Sequence, residues 1–172
     1  MSYKQRPPQS TATGPLNPLS GCWVMDATRS QAPTAHLAAL GLGDLAQAAG
    51  QKISSTVSLR ITLRGNELSL AHFSSLGEKE RRITLGEPWV ETGRDGVTIR
   101  CVVELATPHQ IRMNCDYGKA RVVETKTLVA QDVMVQELTM TYMKGAVTQS
   151  TKTFIRVTQE RQEELYLLIG KA

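Results

Sequence analysis

The stretch STVSLRITLRGNELSLAH, residues 55–72, decides the fold. Val57, Leu59, Ile61 and Leu63 alternate with Ser58, Arg60 and Thr62, so the segment is a strand with one apolar face. Arg64-Gly65-Asn66-Glu67 reads as a turn, after which Leu68, Leu70 and His72 share a face. Working outward, the same period of two recurs at about 79–86, 88–92, 96–105, 109–117, 120–129, 133–143 and 147–157. Turn residues separate these segments at Gly86-Glu87-Pro88, Gly93-Arg94-Asp95, Thr107-Pro108, Tyr117-Gly118-Lys119, Gln131-Asp132 and Lys144-Gly145. Upstream, Leu19–Met25 supplies a first strand. The pattern predicts a mainly-β chain, a ten-stranded antiparallel up-and-down β-barrel whose closure removes the exposed edges.

Residues 33–50, PTAHLAALGLGDLAQAAG, are rich in Ala and Leu and nearly free of β-branched residues, as helices prefer. Gly41 and Gly43 interrupt them and Asp44 can cap a second helix, which predicts two short helices capping the barrel. Residues 1–17 read as a flexible arm, 18–157 as the barrel and 158–172 as a C-terminal extension. In that extension Leu165, Leu168 and Ile169 fit one helical face, although Leu165–Ile169 would also serve as a strand.

Strand parity gives an inner wall. Odd positions of 109–117 facing inward (Ile111, Met113, Cys115) carry that face back to Ile99, Cys101, Val103 and Trp89. Carried forward, it reaches Arg121, Val123, Thr125, Thr139 and Thr141. The implied lining mixes Leu70, Ile83, Ile99, Met113 and Val123 with His72, Thr125, Thr139, Ser150 and Lys152, and Arg81 also points in. An unpaired buried polar group costs about 1–3 kcal/mol, so this lining predicts a water-containing cavity rather than a solid core.

Composition excludes several classes. The chain has 172 residues, 41% hydrophobic and 21% charged, with a net charge of +4, which suits one ordinary globular domain. The basic residues are scattered and form no nucleic-acid footprint. No run of about 18 apolar residues offers a spanning helix, so stable membrane insertion is not expected. Residues 1–18 lack the apolar core of a secretory signal. Cys22, Cys101 and Cys115 form no CxxC pair, and the three histidines have no zinc spacing. A reducing, cytoplasmic compartment is the default. Cys101 and Cys115 fall opposite each other on adjacent strands; they read first as two small buried hydrophobes, with a redox pair or a soft metal site with His72 as alternatives. No G-x-S-x-G, P-loop or paired-carboxylate motif appears, so neither enzyme activity, a metal nor a cofactor is expected.

Taken in order, these residues resemble the intracellular lipid-binding proteins, the fatty-acid- and retinoid-binding branch of the calycins. Gly21-Cys22-Trp23 resembles the G-x-W of that family's first strand, and residues 36–50 resemble its helix–turn–helix. Leu85-Gly86-Glu87-Pro88-Trp89 is similar to its L-G-x-x-F segment. Met143-Lys144-Gly145 and Ser150-Thr151-Lys152-Thr153-Phe154 resemble its closing hairpin and S-T-R-x-Y ending. The resemblance covers Leu19 to Val157. It implies a lipocalin-like barrel that holds one long apolar ligand, a fatty acid or similar lipophile, for solubilisation and transport, and acts as a monomer.

The resemblance also implies a site. The chain of the ligand would lie on Leu70, Ile83, Ile99, Met113 and Val123, and Leu76 matches a portal position. Lys152 occupies one of the family's two basic head-group positions. The other falls near Thr125, or on Lys126 with a register one residue different. Phe154 replaces the family's tyrosine, and Arg121, Arg81, Thr139 and His72 are further candidates for the polar end. Lys152 lies opposite Glu137 if Lys144-Gly145 is a two-residue turn, and opposite Thr139, which the resemblance favours, if the loop has four. The alternative function is a calycin scaffold with a vestigial or self-plugged cavity, working through protein contacts of the arm and of residues 158–172.

Overall fold

The computed structural model describes residues 13–30, 58–74, 77–92 and 96–169. The expected helix–turn–helix of residues 33–50, the portal residue Leu76 and residues 1–12 of the arm lie outside these.

Ten strands run β1 (Gly21–Asp26), β2 (Ser58–Arg64), β3 (Glu67–Ser74), β4 (Gly77–Thr84), β5 (Trp89–Thr92), β6 (Thr98–Thr107), β7 (Gln110–Asp116), β8 (Ala120–Ala130), β9 (Val133–Tyr142) and β10 (Val147–Val157). All neighbours are antiparallel, in the order β4-β3-β2-β1-β10-β9-β8-β7-β6-β5. The sheet curls on itself. Leu68 and Leu70 of β3 meet Val103, Ile111, Met113, Glu124 and Lys126 of β6–β8 around a void of about 10 Å³, room for about one water.

Closure is not by a ladder, in contrast to the fully closed meander expected from the sequence. Among the described residues β4 and β5 exchange no strand pairing. Their connection is anchored instead, with Leu85 N donating to Asn66 O (2.8 Å) and Gly86 N to Val103 O (2.7 Å). Farther along the seam, Arg81 of β4 and Glu91 of β5 form an ion pair at 2.8 Å. The edge strand β4 reads GEKERRIT, a charged composition that discourages pairing with another chain.

One end of the barrel is packed solid. Leu19, Trp23, Leu59, Ile61, Leu63, Val103, Met134 and Phe154 are at most 2% exposed, and each large apolar side chain so buried contributes about 1.5–3 kcal/mol. The Trp23 indole donates to Leu19 O at 3.0 Å. Arg156 stacks on its ring, 4.3 Å from the centroid, and donates to the carbonyls of Ser20, Pro18 and Gln131. The arm is tied down where it is described: Asn17 N donates to Leu63 O, and Arg64 reaches Gly14 O at 2.8 Å.

The extension forms a helix, α1 (Gln159–Ile169), capped by Thr158, whose hydroxyl accepts from Arg161 N. It lies outside the barrel. Tyr166 meets Phe73, on the outward face of β3, edge-to-face with centroids 5.4 Å apart. Gln162, 1% exposed, donates to Leu59 O at 2.7 Å. The inward-turned positions of α1 are therefore Gln162, Leu165 and Tyr166, while Leu167 and Leu168 face solvent. This differs from the face expected on Leu165 and Leu168, and its described residues do not enter the interior.

Candidate functional site

The register fixes which side chains face inward, because directly paired residues share a face of the sheet. Trp23, Leu59, His72 and Lys79 form one row across β1–β4. On the other side, Lys152, Gln136, Lys126 and Ile111 form a row across β10–β7, and Ser150, Leu138, Glu124, Met113 and Val103 the next one. A third row runs Met140, Val122, Cys115, Cys101, Trp89.

Lys152, His72, Leu70, Ile83, Met113, Ile99 and Phe154 therefore stand on the inner wall, as the sequence implied. Thr125, Arg121, Val123, Thr139 and Thr141 do not. They point outward, and Arg121 lines an outer groove with Pro88, Arg100 and Asn114. The cause is one turn. Expected as three residues, 117–119, it is a two-residue loop: Tyr117 N donates to Ala120 O, and Gly118, at φ +78°, turns the chain back while donating to the Asp116 carboxylate. One residue fewer reverses every face of β8 and β9. The next loop, Met143–Gly145, has three residues, with Tyr142 N donating to Ala146 O and Gly145 N to Tyr142 O. That second departure restores the parity of β10. Lys152 thus pairs across from Gln136, neither Glu137 nor Thr139.

The corrected register puts a charged belt inside. Lys126, 5% exposed, forms an ion pair with Glu124, two residues along the same strand. Burial favours a neutral Glu124, but the Lys126 ammonium beside it outweighs this and holds the carboxyl below its usual range. His72 is pushed down to about 4, by burial first and then by Lys126, Arg81 and Lys152, with Glu124 opposing. Lys152 is lowered by burial and by Lys126, against Glu124. Among the described residues Lys152 has no ion pair or hydrogen bond, while Lys126 and Arg81 each hold a carboxylate. Tyr117, inward at the end of β7, has its phenol raised by burial and by Glu91 and Glu124. His72, Arg81, Glu91, Met113, Leu138 and Lys152 face inward yet remain partly exposed, so solvent reaches this part of the inner wall beside the packed end.

Glu124, Lys126, Gln136 and Leu138 were hidden by the turn; the visible signal was the basic Lys126 beside Thr125. Glu91 and Tyr117 gave no signal beyond strand parity. Cys101 and Cys115, 4.2 Å apart at Cα, form a disulfide on the inner wall, replacing the two independent hydrophobes expected. Cys22 is free and buried. The described residues contain no cluster of three metal-ligating side chains and no helix long and apolar enough to cross a membrane.

This geometry defines a curled ten-stranded barrel with an apolar floor and a polar belt, the fold of the fatty-acid-binding proteins. A fatty-acid-binding protein of Schistosoma mansoni, solved with arachidonic acid, matches 84% of this chain and 100% of its own at 19% identity and a TM-score of 0.67. Fatty-acid-binding protein 1 of Echinococcus granulosus matches 82% and 98% at 15% identity, TM-score 0.64. The protein from brain tissue of Drosophila melanogaster matches 78% and 95% at 16% identity, TM-score 0.63. No family model and no curated protein matches the sequence.

Proposed function

We propose that the protein is a non-enzymatic carrier that holds one long-chain lipophile, a fatty acid or similar amphiphile, in the barrel interior. The observation that carries this reading is the inward Lys152, unpaired among the described residues, above an apolar wall of Leu70, Ile83, Met113 and Leu138. The hydrocarbon would lie on that wall and the polar end would meet Lys152 and Gln136. Among the described residues Lys126 and Arg81 already hold carboxylates, which leaves Lys152 and, at the exposed edge strand, Lys79 as inward cations without one. A lone ammonium is a point charge without the two-pronged geometry of a guanidinium, so charge contributes less than apolar burial to affinity.

Native mass spectrometry of the purified chain, before and after incubation with fatty acids, tests the reading. A one-to-one lipid complex is expected, and a clean apo mass after incubation refutes it. Lys152→Ala is expected to weaken a fatty acid more than the matching alcohol; equal losses would remove the charge role. An intracellular carrier follows from the same reading. The Cys101–Cys115 disulfide weighs against a reducing compartment, and alkylation of the protein in intact cells decides between the two.

A further inference from the structure

We propose that Lys152 is an imine-forming site, whose amine condenses reversibly with the carbonyl of a long-chain aldehyde held in the barrel. This rests on the carrier reading above and names a further ligand class for the same lumen. Three observations support it.

The first is placement. Lys152 points inward between Ser150 and Phe154 on β10, opposite Gln136, and Phe154 is 1% exposed. An aldehyde lying on the apolar wall therefore presents its carbonyl beside an amine on a rigid strand, rather than on a mobile loop. The second is freedom. Its neighbours Lys126 and Arg81 are committed to Glu124 and Glu91, and Arg156 to backbone carbonyls and Asp132; among the described residues Lys152 has no such partner. An amine locked in an ion pair stays protonated, whereas an unpaired one in a desolvated setting beside a second ammonium supplies the neutral nucleophile. The lowered proton affinity of Lys152 acts in that direction. The third is the counter-charge. Glu124, paired with Lys126, also acts electrostatically on Lys152, so a protonated imine would remain in the field of a carboxylate.

The chemistry balances without a co-reactant. The neutral amine attacks the carbonyl carbon to give a carbinolamine. One amine proton passes to the carbonyl oxygen, the resulting hydroxyl then leaves as water after taking up one more proton, and the nitrogen gives up its one remaining proton to leave the imine; nothing is oxidised or reduced. A lysine engaged this way stores a reactive aldehyde reversibly and shields it from other amines.

The full chain is incubated with hexadecanal, reduced with cyanoborohydride, and peptide-mapped by mass spectrometry. The expected result is a hexadecyl adduct that forms several-fold faster on Lys152 than on the exposed Lys119, disappears in the Lys152→Arg variant and persists in Lys119→Arg. Competition with excess hexadecanol should slow it, because both occupy the lumen. Adducts spread evenly over the lysines, or labelling of Lys152 that hexadecanol leaves unchanged, would overturn the proposal. Binding of hexadecanol and hexadecanoate by the same preparation, without a Lys152 adduct, overturns the imine and leaves the carrier reading standing. Binding of none of the three overturns both.

Discussion

His72 makes stability depend on pH over a range where few other groups titrate. Its imidazole is inward, with Leu59 and Lys79 beside it in the sheet and Lys126, Arg81, Lys152 and Glu124 acting on it across the lumen. In the unfolded chain it takes a proton near 6.5, and in the folded one only near 4. Between those values the unfolded state binds more protons, so stability is fully present above 6.5 and falls as the pH drops toward 4. A difference of that size amounts to about 2 kcal/mol lost at pH 5 and to about 3 kcal/mol below pH 4. His72→Gln removes the titration while keeping a polar side chain of similar size. Urea unfolding of both proteins at pH 7 and pH 5, followed by tryptophan fluorescence, isolates the effect. His36 and His109 are common to the two chains and cancel, and Glu124, whose folded carboxyl is also depressed, adds loss in the same sense mainly below its unfolded value of 4.5. The wild type is expected to lose about 2 kcal/mol more than the variant on going to pH 5. Equal losses within the extrapolation uncertainty of about 10–15% would show that His72 is not held neutral, and the inward register of β3 would lose its main electrostatic consequence.

Three further outcomes rest on the packing. Glu124→Gln strands the buried Lys126 ammonium and is expected to cost about 3–5 kcal/mol in urea unfolding, while Glu124→Leu with Lys126→Met recovers most of it; a single variant costing under about 1 kcal/mol would place the pair in solvent. Reducing the Cys101–Cys115 disulfide, which closes 14 residues of separation, is expected to lower stability by about 3 kcal/mol; an unchanged denaturation midpoint, or an intact mass without loss of two hydrogens before reduction, would refute the bond. Gly21→Ala meets both a φ of +147° and the Arg156 guanidinium, whose Nη1 would lie 2.5 Å from the new Cβ. A loss of about 1–3 kcal/mol is expected, and a thermal midpoint within a degree or so of wild type would contradict the close approach of Arg156 to the first strand.

How much of this was legible in the sequence depended on which link of the chain was being read. Strand positions were legible, because alternation such as Val57-Leu59-Ile61-Leu63 is enforced residue by residue by burial of one face. Face identity beyond a turn was not, because it depends on loop length modulo two, and Tyr117-Gly118-Lys119 leaves two and three residues equally plausible to composition. What separated them was the Asp116 carboxylate accepting from Gly118 N, a contact that a rule based on glycine alone does not contain. The consequence was chemical rather than architectural. With β8 reversed, the expected lining of Thr125 and Val123 becomes Glu124 and Lys126, and hydroxyls give way to a buried ion pair. That pair would have argued against the reversal on simple desolvation grounds, since two charges leave water. It is tolerated because the two side chains, two apart on one strand, satisfy each other before any ligand enters. The same logic explains why Lys152 was legible: two successive departures in loop length, at Gly118-Lys119 and Met143–Gly145, cancel at β10. Its partner was not, since Gln136 stands there by virtue of both. The head-group end of the lumen is therefore set by two short turns as much as by the strands: with the later registers kept, a residue inserted between Gly118 and Lys119 would turn over not only β8 but also β9 and β10, carrying Glu124, Lys126 and Lys152 off the inner wall together.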